Sequence, residues 1–422
     1  MTNAGNTFDT VNFTGGNIAW AETGPVTIGA TGVSATAGTT STGTLAITST
    51  GALTQTGAVT AADVTTLAAG AGNNITLNNA ANDFSTVGIT SGNNVALTDA
   101  NALILGASTV SGTLGVTTGG ALTQSGVLAV TGATTFTATA ANTDMLLDTQ
   151  ANNFGGVVSF AGTPANIRDV QLRNVNAGAT VPVLAGLTNL RNLTLTFDTA
   201  PMTVPTLMAS GNVNLTAGTD VTLGLLSAGG GVNVTAGGSV LSAGGPGTNV
   251  TASASSRLEA FNGVVGTQAA PVTVNVNPGM LSIRATTAVA GISAFLTGTV
   301  ASPPGNMLTL LNVPPGLVCF NGCPVPPSNN PFGIFFGSIP LFSRDSIVPW
   351  YIQEPSDPPL VSIVSTYVPG TVVAEAKTDV KSDGRSVARE IPPCFPRSAC
   401  RPGAGILTAP AGGQDPELTT AR

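Results

Sequence analysis

The stretch Leu-Ala-Ile-Thr-Ser-Thr-Gly-Ala-Leu-Thr-Gln, from Leu45 to Gln55, returns as Leu-Gly-Val-Thr-Thr-Gly-Gly-Ala-Leu-Thr-Gln, from Leu114 to Gln124. Asn82-Asp83-Phe84 matches Asn152-Asn153-Phe154 at nearly the same offset, and Asn6-Thr7-Phe8 resembles the same triplet further upstream. A unit of 69–77 residues therefore runs through at least the first 160 positions. Inside it lies a shorter period. Asn74-Ile75-Thr76-Leu77 recurs as Asn94-Val95-Ala96-Leu97, and the segment Val213–Gly218 recurs as Val232–Gly237. Each copy alternates apolar and small polar residues between Gly or Asn, which is strand patterning with a period of two.

A repeat of about 20 residues is too short for a propeller blade or a helical pair, and it lacks the Leu-rich consensus of a leucine-rich repeat. One coil of a parallel β-helix fits, with inward Val, Leu and Ile buried against the coils above and below. The expected fold class is all-β, a right-handed parallel β-helix (β-solenoid) over residues 1–300. About 15 rungs at ~4.8 Å would make a rod roughly 70 Å long. Gly and Asn are expected at corners that need positive φ, and Asn at equivalent corners is expected to stack into hydrogen-bonded ladders.

Near residue 300 the composition changes. Twenty of the 28 prolines follow Ala301, as do all four cysteines and eight of the 13 basic residues. Dense proline cannot continue a regular ladder. Residues 301–422 are therefore expected to form a proline-rich, largely irregular tail, part of which folds back as a cap, with Thr378 to Arg389 polar and flexible. The cysteines are Cys319, Cys323, Cys394 and Cys400. Two local disulfides, Cys319–Cys323 and Cys394–Cys400, are favoured by proximity, although four cysteines allow three pairings. Disulfides would place this region outside the cytoplasm.

Only 8% of residues are charged and the net charge is −7. No Lys or Arg precedes Arg168, whereas Asp9, Glu22, Asp63, Asp83, Asp99, Asp144 and Asp148 do. Without a basic stripe, nucleic acid is excluded as a partner and binding to anionic lipid is disfavoured. No apolar run is long enough for a membrane-spanning helix. With no His, a His-activated nucleophile is impossible, and nothing points to a metal or cofactor. The acids before Arg168 read as solvated turn residues. Arg168-Asp169, Arg173, Arg191 and Asp198 form the one close mixture from which a polysaccharide lyase or hydrolase site is conceivable. Sequons at Asn12, Asn74, Asn192, Asn214, Asn233 and Asn249 read mainly as strand-start asparagines. Thr135-Phe136-Thr137 and Thr194-Leu195-Thr196 are too irregularly placed for one continuous threonine array.

The segment Gly51–Gln55, its copy Gly120–Gln124, and the runs Gly211–Gly218 and Gly231–Gly238 resemble the shaft repeats of filamentous haemagglutinin-type exoproteins, and the resemblance covers residues 1–300, the greater part of the chain. It implies a right-handed β-helical rod and export through an outer-membrane transporter of the two-partner type. It further implies a secreted or surface-exposed place on a Gram-negative cell and attachment to a host-cell or surface glycan or protein receptor, without catalysis. No signal peptide is visible in residues 1–30, so the chain is expected to be part of a longer exoprotein.

Overall fold

The computed structural model describes residues 5–286 and 292–300, together with 308–310, 317–321, 335–336, 376–380 and 386–390. The chain divides into two units, Met1–Ile347 and Val348–Arg422. The first is a β-solenoid of about 13 turns built from parallel strands, with one short 3-10 turn at Pro164–Asn166 among the described residues.

Three strand segments make a coil, one on each of three faces. Leu45–Ser49 lies on the first face and Leu53–Gln55 on the second. The long strand Val59–Ala68 bends over a corner: Val59 to Ala61 pair with Val33 to Ala35 on the third face, and Thr65 to Ala68 return above Leu45 to Thr48 on the first. Alternation then decides what is inside. In Val95–Asp99, Leu114–Thr118 and Thr134–Ala138, every odd position of the strand is buried and every even one half-exposed. Because the pairing is in register, Leu97 stacks on Val116 and Val116 on Phe136. The core is thus a set of columns. Its largest fully buried side chains are Phe84, Phe136, Phe154 and Phe197, with Phe136 and Phe154 meeting edge to face at 6.5 Å.

The long sequence unit and the coil do not coincide. Leu45 sits on the first face, but its copy Leu114 belongs to the ladder Leu53–Ile75–Val95–Leu114 on the second. Thr65 of the first face likewise reappears as Thr134 of the second. Each unit contains ten strand segments, so it advances three coils and one face. The coils themselves vary in length. From Val87 the next coil brings Leu105, whereas from Ile283 it brings Leu310, a path half as long again. Most of the extra residues fall in corners, as between Asn174 and Asn192, although single slips also occur within strands, as at Arg168 opposite Thr143 and Asp144.

Glycine serves the corners chiefly through close stacking. A Cβ on Gly218 would lie 1.9 Å from the Asp198 carbonyl oxygen, and one on Gly237 would lie 2.0 Å from that of Gly218, although neither has positive φ. The asparagine ladders exist, and most of their bonds run from side chain to backbone. Asn74 Oδ1 accepts from Asn94 N (3.1 Å), and Asn94 Oδ1 from Thr113 N (3.0 Å). Asn192 Oδ1 accepts from Asn212 N (2.9 Å), and Asn212 Oδ1 from Gly231 N (2.9 Å).

One buried constellation occurs twice. Asn152 Oδ1 accepts from Leu128 N and Gln124 Nε2 (both 2.9 Å), while its Nδ2 donates to Gln124 Oε1 and Leu147 O (both 2.9 Å). Asn82 repeats this with Val59 N, Gln55 and Leu77 O. The repeated Gln of the sequence unit, buried at Gln124 and half-buried at Gln55, therefore fixes a corner.

Short strands also occur beyond residue 300. The ladder continues past residue 300, since Leu308–Leu310 pairs with Leu281 to Ile283 and Leu317–Phe320 with the strand Ile292–Val300. In the sequence Pro314-Pro315 falls between these strands, so proline spacing still left room for very short strands. In the second unit, Ala376–Val380 and Ser386–Glu390 form an antiparallel pair within the stretch expected to be flexible. The Asp383-Gly384 between them is a hairpin signal in a polar sequence, where period-two hydrophobicity is too faint to read.

Removing the Asn152 side chain strands buried polar groups on Leu128, Gln124 and Leu147, and removing the Phe154 ring leaves a core cavity. Asn152→Ala is expected to cost about 2–3 kcal/mol and Phe154→Ala about 3–5 kcal/mol. Urea unfolding of the full chain, with amide exchange in residues 122–154 compared with 213–236, measures both. An effect no larger than that of Leu146→Ala, on the outer surface, would contradict this account.

Candidate functional site

Charged side chains gather on the third face, where Thr143–Leu147, Ile167–Asn174 and Asn192–Phe197 stack in order. These strands and the corners beside them carry the close mixture of Arg and Asp noted in the sequence. Arg168 does not pair with its neighbour Asp169. Its Nε and Nη2 donate to Oδ1 and Oδ2 of Asp144 on the coil before (2.9 and 2.6 Å). Asp169 instead receives Arg191 from the coil after (2.9 and 2.5 Å), and Arg173 reaches Asp198 (3.0 and 2.6 Å). The result is three bidentate forks that each bridge adjacent coils.

Their electrostatics follow from these contacts. Burial pushes the Asp169 carboxyl up, but hydrogen bonds from Arg191 and Asn192 outweigh it and hold the group below its ordinary range. The fork from Arg173 holds Asp198 low against a smaller effect of burial. Both stay ionised and paired at neutral pH, whereas a general acid needs the opposite shift.

Beside the third fork runs a shallow open groove lined by Asp148, Arg173, Thr196, Asp198, Thr216 and Gly218. Asp148 accepts from the Gln171 amide (3.1 Å) in the amide orientation that satisfies both groups. The structure thus brings Arg168, Asp169, Arg173, Arg191 and Asp198 onto one face, but as pairs distributed along it. Sequence reading misses Asp144 and Asp148, which it assigns to solvated turns. The available signal is the Arg-to-Asp separation of 22 to 25 residues, one coil length.

The other two arginines of the coils also have partners. Arg257 lies 3.5 Å from Glu259, and the Arg284 guanidinium sits 4.1 Å from the Phe261 ring centroid. Asn249 is buried, donating to the carbonyls of Leu223 and Gly224 and accepting from Thr273 N, so its sequon is consumed inside the fold. Asn214 and Asn233 bond to each other (3.0 Å). Thr135 and Thr137 lie on the second face, but Thr194 and Thr196 on the third, so they do not form one array. Cys319 is buried and disulfide-bonded, while Cys323, Cys394 and Cys400 lie outside the described residues. No helix among the described residues is long and apolar enough to cross a membrane, and none of their acids or cysteines form a group of three placed to hold a metal.

Comparison with known families finds a similarity. The model for repeats of unknown function (DUF5649) matches residues 15–91 and again 92–161, two consecutive copies with the length of the internal unit. No curated protein and no solved structure matches the chain.

Because Asp169 and Asp198 are held low, each contributes stability that is full above the unfolded value of about 3.9 and is lost as pH falls through the folded value. Arg191→Gln and Arg173→Gln are expected to raise the titration of Asp169 and Asp198 respectively, read by carboxyl-carbon NMR. Unchanged titration in both variants would show that the forks do not hold the carboxylates.

Proposed function

We propose that this chain is a structural and adhesive shaft of a large exported protein. The observation that carries the reading is the commitment of every arginine of the described coils to a partner, three of them in forks that tie one coil to the next. Charge here serves to hold the stack. The third face then continues as a flat polar surface, with the column Thr194–Asn214–Asn233 beside Thr196–Thr216–Thr235. A rigid polar surface repeated at coil spacing suits many weak contacts made together, whose combined avidity exceeds each single contact.

The likeness of the repeats to filamentous haemagglutinin-type shafts supports export through an outer-membrane transporter of the two-partner type, surface exposure on a Gram-negative cell, and attachment to a glycan or protein receptor rather than catalysis. The contrasting reading, degradation of a polysaccharide, would use the groove of Asp148, Arg173 and Asp198.

Beads coated with the full chain are expected to adhere to immobilised glycans or extracellular-matrix proteins at least tenfold above beads coated with an unrelated protein. Adhesion should vanish when the chain is presented singly in solution. Release of oligosaccharides from a soluble polysaccharide panel, abolished by Asp198→Asn, would replace this reading with the enzymatic one. A transporter gene beside the reading frame is the expected result of sequencing the flanking DNA, and its absence there would count against the export route.

A further inference from the structure

A second repeated constellation sits at the corner that follows the third face. The backbone N–H of Phe154 donates to Asn174 Oδ1 (3.0 Å), the N–H of Asn176 donates to the same oxygen (3.1 Å), and Asn174 Nδ2 donates back to the Phe154 carbonyl (3.0 Å). One unit earlier an acid holds that place. The N–H of Phe84 donates to Asp99 Oδ1 (2.7 Å) and the N–H of Asn101 to Asp99 Oδ2 (3.1 Å). In the first unit the Glu22 carboxylate takes the N–H of Phe8. All three side chains are buried, at 3% exposure for Glu22 and 2% for Asp99 and Asn174.

The acid and amide versions share two N–H donors but receive them differently: Asn174 Oδ1 takes both and leaves Nδ2 free to donate, whereas Asp99 takes one on each oxygen. An ionised carboxylate accepts but cannot donate, so nothing at Asp99 reproduces the bond from Asn174 Nδ2 to the carbonyl below. The surroundings sharpen the difference. The charged group facing Asp99 is Asp83, whose Oδ1 accepts from Asn101 Nδ2 (2.9 Å), and no Lys or Arg occurs in the sequence before Arg168. In the next unit both acids are replaced together: Asn153 stands for Asp83 and accepts from Asn176 Nδ2 (2.7 Å), while Asn174 stands for Asp99.

We propose that the Asp99 corner is a proton-operated latch in the solenoid: on acidification the carboxyl takes up a proton, its new O–H donates to the Phe84 carbonyl as Asn174 does to that of Phe154, and the surrounding coils tighten. Asp83 reinforces the latch by repelling the anion. The same burial that shields the corner pushes the Asp99 carboxyl above its ordinary range, against smaller lowering by the N–H groups of Phe84 and Asn101. A raised value makes the stabilisation complete below the unfolded value of about 3.9, and it is lost as pH rises through the folded value. The coil held by Asn174 has no such dependence.

Amide exchange of the full-length chain between pH 3 and 8, corrected for intrinsic exchange rates, tests the latch. Protection of residues 84–101 is expected to fall as pH rises, while that of residues 154–176 stays level. Asp99→Asn should flatten the profile and raise protection at pH 8. Asn174→Asp should install the dependence in residues 154–176. A slope that survives Asp99→Asn, or a variant less protected than the wild type at pH 8, would overturn the proposal. Asp99→Asn decides the matter alone if Asn174→Asp does not fold.

Discussion

The molecule depends on the in-register parallel ladder between successive coils. Each strand of a coil finds its backbone partners in the coils before and after, so backbone satisfaction is always settled between neighbours. That constraint forces identical spacing on every face, and it places side chains in columns where each must fit the one above. Leu97, Val116 and Phe136 meet for this reason, and so do the corner residues that leave no space for a Cβ at Gly218 and Gly237. Most insertions are placed in corners, which explains how coils as unequal as Val87 to Leu105 and Ile283 to Leu310 coexist in one stack.

Polar groups obey the same rule. Asn82 and Asn152 are buried not as isolated amides but as closed networks in which donors meet acceptors on both sides. The arginine forks extend this logic to the surface. Each pins a coil to its neighbour through two parallel bonds, so charges that composition makes scarce are used as rivets. Exposed ion pairs are individually weak contributors. Their value here lies in fixing register on a face whose small Thr and Asn side chains would otherwise specify it poorly.

The parallel coil was legible in the sequence because period-two alternation and a short recurrence survive on the page, as in Val213–Gly218 and Val232–Gly237. What stayed hidden was the three-dimensional meaning of spacings. Gln55 and Gln124 read as repeated polar residues, yet they lie against Asn82 and Asn152 at separations of 27 and 28 residues, visible only once the coil path is known. Arg168 stands beside Asp169 in the chain but belongs with Asp144, because it is the extra residue of a register slip opposite Thr143 and Asp144 and, like Asp144, it is only half-buried. Proline density marks where strands cannot be long, and it says little about where very short strands can still pair.

The advance of three coils and one face per sequence unit has an evolutionary side. Gaining or losing one unit by unequal recombination preserves every neighbour contact, since each coil touches only the next. It nevertheless turns everything beyond the junction by a third of a revolution. A surface residue written once per unit is therefore displayed along a spiral, returning to its starting side only after three units and ten coils. Length variants of such a chain would differ in the compass bearing of their far end as well as in reach.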